Sequence, residues 1–93
     1  MSAPVVRRRE NFFAPIPDNG RLVSRGTRWG NPYQVNADGT RVEVVAAYER
    51  DLYAGRLRVT VEDVRRELRG FDLYCYCAPE LCHADVLLEV ANS

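Results

Sequence analysis

The sequence predicts a small α/β domain whose elements follow the order β-β-α-α-β-α, with a short open sheet flanked by helices. Short segments rich in Val, Leu and Tyr are bounded by Gly and Pro, which is typical of strands. Other segments begin with helix-capping residues and carry apolar residues at helical spacing. A length of 93 residues suits one modest core. We therefore expect residues 1–93 to form a single domain.

Three segments have the composition of strands. The first is expected at residues 4–6, leading into Arg7, Arg8 and Arg9, and the second at residues 21–24. The loop between them, residues 11–20, contains two Pro and an Asp-Asn-Gly turn sequence. The third strand is expected at residues 71–77, which are rich in aromatic side chains that suit a strand.

Two consecutive helices are expected between the second and third strands. Thr40 and Glu43 fit a capping box, in which each side chain accepts a hydrogen bond from the other residue's backbone N–H, and Gly55 is a natural stop. Thr60 can cap the next helix, and Gly70 ends it. A last helix carries an inward face formed by Val86, Leu87, Val90 and Ala91.

Composition narrows the class of protein. All thirteen basic residues are Arg, and the net charge is zero, so the chain lacks the strongly basic character of a dedicated nucleic-acid-binding domain. Residues 1–30 carry a net charge of +4 (six Arg, Glu10 and Asp18), which favours an anion at this end. The apolar runs are too short for a membrane span or a secretory signal, so we expect a cytoplasmic protein.

Residues 75–83 contain every cysteine and the only histidine of the chain. Because side chains alternate along a strand, Cys75 and Cys77 are expected on the same side of the third strand, with Cys82 and His83 near the start of the last helix. In one interpretation these four residues are the ligands of a structural zinc ion. Their spacing differs from that of zinc fingers, and neighbouring residues diverge on a helix.

A second interpretation is catalytic. Cys82 is then a thiolate nucleophile, and His83 or Asp85 assists proton transfer. The amino end of a helix favours both a thiolate and a bound anion, whether this helix begins at Pro79 and Glu80 or nearer Cys82. In a third interpretation the cysteines are simply small buried apolar residues, and His83 is a polar residue at a helix start.

A Gly-rich loop follows the second strand. Its residues Arg25, Arg28, Trp29 and Asn31 combine guanidinium groups, a flat aromatic ring and an amide, which suits a nucleotide or a single nucleic-acid strand. The structural alternative is that Trp29 fills the edge of the core and both arginines are exposed. If the second and third strands are parallel, this loop and the Cys/His residues meet in one crevice.

Together the two motifs resemble a family of small uncharacterised domains found in bacteria and bacteriophages. Its signature is similar to Arg-Gly-x-x-Trp-Gly-Asn-Pro, present at residues 25–32, and to Cys-x-Cys-x-Pro-x-x-Cys-His-x-Asp, present at residues 75–85. The Leu-Arg-Gly at residues 68–70 also fits. The resemblance spans nearly the whole chain, and it implies a family without implying a reaction.

We therefore predict one polar pocket that binds, and in the catalytic interpretation acts on, a nucleotide-like or other anionic ligand, with Cys82 and His83 at its centre. The alternative is a zinc-stabilised interaction module, such as a phage or actinobacterial accessory protein that binds a host factor. A binding domain without catalysis is the third candidate.

Overall fold

The computed structural model describes residues 3–11, 13–78 and 80–93. The predicted α/β class and element order are confirmed. The elements are β1 (Val6–Arg8), β2 (Gly20–Leu22), α1 (Arg41–Ala54), α2 (Val61–Leu68), β3 (Asp72–Cys75) and α3 (His83–Ala91).

The strands form one parallel sheet. Within the described residues its order is β1-β3-β2, and both outer strands run parallel to β3. Leu73 of β3 is paired with Val6 on one side and with Arg21 on the other. Because the strands are parallel, the segments that follow them emerge at the same edge of the sheet, which is where open α/β sheets bind ligands.

The predicted capping box of α1 and the predicted Thr60 cap of α2 are present, and the α2 cap is also a capping box. The Thr40 hydroxyl accepts the Glu43 N–H at 3.2 Å, and the Glu43 carboxylate accepts the Thr40 N–H at 2.9 Å. Thr60 and Asp63 make the same exchange at 3.1 and 3.0 Å. Gly55 ends α1 in the left-handed conformation, with a φ of 74°. These local hydrogen bonds explain why the helix starts were readable in the sequence.

The strands are shorter than the sequence suggested. β2 ends at Leu22 and β3 at Cys75, whereas the predicted strands extended to Ser24 and Cys77. Beyond β3 the backbone turns, and the Glu80 N–H donates to the Cys77 carbonyl at 2.9 Å. Side-chain alternation therefore does not extend from Cys75 to Cys77.

The last helix begins at His83, with Cys82 in the capping position. This agrees with the later of the two predicted starts, whereas Pro79 of the earlier start lies outside the described residues. α3 packs against α1, α2 and β3. The core between these elements is centred on fully buried side chains that include Val23, Tyr48, Leu52, Val64, Leu68, Leu73 and Leu87.

In the part of the chain that the structure describes, no helix is long and apolar enough to cross a membrane.

Candidate functional site

A cavity of about 230 Å³ lies at the edge of the sheet where β2 and β3 end. Both sequence motifs line it, as the parallel pairing of β2 and β3 requires. The side of the Gly-rich loop contributes Arg25 and Asn31, and the residues after β3 contribute Cys77, Cys82 and His83. The remaining wall includes Cys75 together with Val35, Arg41, Val44, Val45 and Leu81.

Two of the three thiols form a buried pair in the cavity wall. The Cys75 and Cys82 sulfurs are 3.3 Å apart, and the two residues are 1% and 4% exposed. The hydrogen bond from Cys82, supported by the N–H groups of Cys77 and Ala78, lowers the pKa of Cys75 to about 6. The same hydrogen bond, together with burial, raises the pKa of Cys82. The hydrogen bond between the sulfurs stabilises one thiolate in the pair, and the directions of the two pKa shifts favour Cys75 as that thiolate.

His83 lines the same cavity and is buried, at 7% exposure. Its Nε2 lies 2.5 Å from the Val23 carbonyl oxygen, and because a carbonyl can only accept, Nε2 carries the proton. Burial lowers the pKa of His83 and is the largest cause of the shift. The charge of Arg25 also lowers this pKa, whereas the hydrogen bond to Val23 raises it. The ring is therefore neutral near pH 7, with Nδ1 free to accept.

Two arginines stand at the cavity. Arg25 donates to the carbonyl oxygens of Asn31 and Tyr33 at 2.5 and 3.2 Å. Among the residues described, no carboxylate lies within ion-pair distance of Arg25. Arg41, in contrast, is paired with Glu80 at 2.9 Å. The positive charge of Arg25 is therefore the less compensated of the two.

The other residues of the predicted nucleotide-binding loop have structural contacts. Trp29 is 7% exposed and belongs to the core, and its carbonyl accepts the Tyr48 hydroxyl at 2.7 Å. Arg28 covers the Trp29 ring, with 4.5 Å to the ring centre, and is paired with Glu67. Neither Arg28 nor Trp29 lines the cavity.

Asn31 reaches the cavity wall, but both ends of its amide are engaged. Its Nδ2 donates to the Val44 carbonyl at 3.0 Å, and its Oδ1 accepts the Tyr33 N–H at 2.9 Å. Asn31 thus ties the loop to α1. Of the four predicted ligand-binding residues, the structure leaves Arg25 with the clearest access to a ligand.

Asp85, predicted as a proton-transfer residue, lies at the start of α3. Its Oδ2 accepts the Cys82 N–H at 2.9 Å, which caps the helix, and Asp85 does not line the cavity. This hydrogen bond indicates a structural role for Asp85, which is to hold the backbone of Cys82 in place.

The zinc ligand set is not assembled in this arrangement. Across residues 3–11, 13–78 and 80–93, no three His, Cys, Asp or Glu side chains are placed to hold a metal ion. Cys77 is exposed, and His83 directs Nε2 to Val23. A zinc ion bound by Cys75, Cys77, Cys82 and His83 stays a prediction.

Sequence reasoning did not identify Arg41 as part of the site. Arg41 is the first residue of α1, where the helix dipole disfavours a positive charge. An arginine at such a position indicates that an anion from another part of the site compensates its charge. Glu80 is one such anion.

The fold and the cavity define a small α/β protein with a cysteine-containing pocket at the carboxyl edge of a parallel sheet. The chain belongs to the DUF4326 family, a domain of unknown function, which it matches over residues 6–93. It is 31% identical over 71 residues to an uncharacterised 12.4 kDa protein of Enterobacteria phage T4, from the nrdA-td intergenic region. The match covers 75% of this chain and 65% of the phage protein. No solved structure matches the chain.

These comparisons confirm the predicted resemblance at the level of an uncharacterised family with a bacteriophage relative.

Proposed function

We propose that the protein binds a small organic anion in the cavity between the Gly-rich loop and the Cys/His residues, where the Cys75 thiolate acts as a nucleophile. The observation that carries this proposal is the position of Arg25. Its guanidinium lies at the cavity without a carboxylate partner among the described residues, close enough to His83 to lower the pKa of the imidazole.

Arginine at such a position favours a carboxylate or a phosphate, because its planar group donates two parallel hydrogen bonds. Asn31 and Tyr33 accept hydrogen bonds from Arg25 through their backbone carbonyls, which fix the guanidinium and leave its charge uncancelled. Arg41 lies at the same cavity and adds to the positive potential, although Glu80 offsets part of its charge.

The rest of the cavity indicates a ligand with an apolar part. Val35, Val44 and Val45 form much of the wall, and the volume of about 230 Å³ is below that of typical drug-sized pockets. Tyr76 also lines the cavity and is partly exposed. An aromatic ring there suits stacking with a base, so a nucleoside monophosphate is the test ligand.

The nucleophile is Cys75 rather than Cys82. The hydrogen bonds to its sulfur stabilise the thiolate, which is the reactive form of cysteine. His83 contributes an unprotonated Nδ1, since its Nε2 proton is held by Val23. Cys75 and His83 line the same cavity, and a thiolate together with a neutral imidazole in one site is used for covalent catalysis.

Calorimetric titration tests the binding step. The four common nucleoside monophosphates are titrated alongside their uncharged nucleosides, and we expect a phosphate to be required. Arg25→Gln should weaken binding about tenfold or more, because it removes a charged hydrogen-bonding partner. Arg58→Gln removes an exposed arginine that does not line the cavity and should leave affinity unchanged.

Equal affinity for nucleosides and monophosphates, or equal loss in Arg25→Gln and Arg58→Gln, would contradict the proposal. Failure of all four monophosphates to bind would exclude the nucleotide-like ligand.

A further inference from the structure

We infer that Cys75 and Cys82 form a redox-active dithiol that reduces small anionic disulfides. The inference rests on the proposed anion-binding cavity, to which it adds a substrate class and a resolving residue. It is carried by two buried sulfurs in the wall of a cavity that Arg25 also lines, and Arg25 has no carboxylate partner among the described residues.

The two sulfurs are already close to bonding distance. Their separation is 3.3 Å, and a disulfide bond is about 2 Å long, so a shift of little more than 1 Å joins them. Cys75 is the last residue of β3, and Cys82 is the capping residue just before α3. Because both stand at element ends, small side-chain rotations close the bond while the interiors of both elements stay in place.

The positions of the two sulfurs suit different roles. The hydrogen bond between them is the largest cause that lowers the pKa of Cys75, which suits the attacking thiolate. Cys82 is the capping residue at the amino end of α3, whose partial positive charge stabilises its sulfur once it loses the proton. That position suits the resolving thiolate.

Access to Cys75 sets the substrate class. Cys75 is 1% exposed and is reached through a cavity of about 230 Å³, so a disulfide on the surface of another protein cannot reach its sulfur. A small disulfide can enter. Arg25 favours one that carries carboxylates.

The reaction uses Cys75, Cys82 and two co-reactants, which are the small disulfide and a dithiol reductant. The Cys75 thiolate attacks one sulfur of R–S–S–R, the S–S bond breaks, and R–S⁻ leaves and takes the Cys82 proton. The Cys82 thiolate then attacks the Cys75 sulfur in the mixed disulfide and releases the second R–S⁻. Two electrons pass to the substrate, and the products, R–SH and R–S⁻, hold the single proton of the starting pair. A dithiol reductant regenerates the protein.

The experiment uses the full chain carrying Cys77→Ser, because Cys77 is exposed and would react on its own. The reduced protein is mixed with dithiodipropionate, hydroxyethyl disulfide or cystamine, which are respectively anionic, neutral and cationic. Intact mass and peptide mapping follow the products, and each rate is divided by that of a simple free thiol. This ratio removes the intrinsic reactivity of each reagent.

We expect loss of two hydrogens, a Cys75–Cys82 cross-link and the highest relative rate with dithiodipropionate. Adding Arg25→Gln should slow that reagent about tenfold, whereas adding Arg58→Gln, at an exposed residue that does not line the cavity, should leave its rate unchanged. Adding Cys82→Ser should trap the reagent on Cys75, and adding Cys75→Ser should abolish the reaction. The Cys75–Cys82 cross-link is expected in the Cys77→Ser protein without any further substitution. The inference therefore remains testable if Cys82→Ser or Cys75→Ser prevents folding.

An adduct that accumulates on Cys75 without the cross-link would overturn the dithiol and leave the anion-binding cavity intact, provided dithiodipropionate is still preferred. Cross-linking at equal relative rates by all three reagents would overturn the anionic substrate class and, with it, the proposed function. The two failures are therefore distinguishable.

Discussion

At the end of β3 the Cys75 sulfur is hydrogen-bonded to the Cys82 sulfur, and this contact is the largest cause that lowers the pKa of Cys75 to about 6. In the Cys77→Ser protein, the rate of Cys75 alkylation by iodoacetamide should therefore rise with pH, reach half its maximum near pH 6 and then level off. Rates measured by intact mass across the pH range test this. A midpoint at the ordinary value of about 8.5 would contradict it.

The matched variant is Cys82→Ala, which removes the donor that contributes most to the shift. Its alkylation midpoint should move upward toward the ordinary cysteine value. An unchanged midpoint would show that Cys82 does not stabilise the thiolate.

His83 provides a second prediction from a single residue. Its pKa is lowered in the folded protein, so on acidification the unfolded state takes up a proton first, near its ordinary value of 6.5. The free energy of unfolding should thus fall as pH drops from about 7.5 to about 5.5, and it should fall less in His83→Gln. Denaturant unfolding of both proteins at the two pH values measures the difference.

The lowered pKa of Cys75 also makes the protein less stable as the pH falls. The contribution of the imidazole is therefore the difference in pH dependence between the unsubstituted protein and His83→Gln. Equal pH dependence in the two proteins would contradict the assignment of a buried, neutral His83.

Among the structural elements, the Gly-rich loop depends on one of its two glycines. A Cβ on Gly30 would stand 2.6 Å from the Arg25 carbonyl oxygen, whereas a Cβ on Gly26 would meet no atom within 4 Å. Gly30→Ala should cost about 1–3 kcal/mol of stability and weaken anion binding, because the backbone of Arg25 must move. Gly26→Ala should leave both unchanged. Denaturant unfolding and calorimetry distinguish the two variants, and a tolerated Gly30→Ala would contradict the loop's close packing.

The start of α3 gives a prediction about Asp85. Its carboxylate caps the helix by accepting the Cys82 N–H, as Asp63 caps α2 by accepting the Thr60 N–H. Asp85→Ala and Asp63→Ala should each lower the free energy of unfolding by about 1 kcal/mol. Neither should change ligand affinity, because neither residue lines the cavity. Lost binding in Asp85→Ala with unchanged stability would instead support a direct role at the ligand.

Over the whole molecule, local signals in the sequence were enough to predict the element order. The Thr40 and Thr60 capping boxes mark helix starts through contacts between residues three apart, so they are visible without tertiary structure. Strand ends were less predictable. β3 stops at Cys75 because the backbone bends at Tyr76 and Cys77, and composition does not encode that bend.

The position of the candidate site followed from topology, but the roles of its residues did not. Parallel β2 and β3 bring the two motifs to one cavity, as the sequence had led us to expect. Burial of Trp29 in the core and the contact between the Cys75 and Cys82 sulfurs, on which the proposed thiolate rests, depend on long-range packing. The zinc alternative also needs a direct test, for which metal content per chain is the measurement.

The central claim, that the cavity attracts small anions to a reactive thiolate, is tested most directly by comparing two alkylating reagents of similar size. Iodoacetate is anionic and iodoacetamide is neutral. In the Cys77→Ser protein, the ratio of their rates at Cys75, divided by the same ratio for a free thiol, should exceed one. It should fall toward one with Arg25→Gln and stay high with Arg58→Gln. A ratio at or below one that Arg25→Gln does not change would contradict the account.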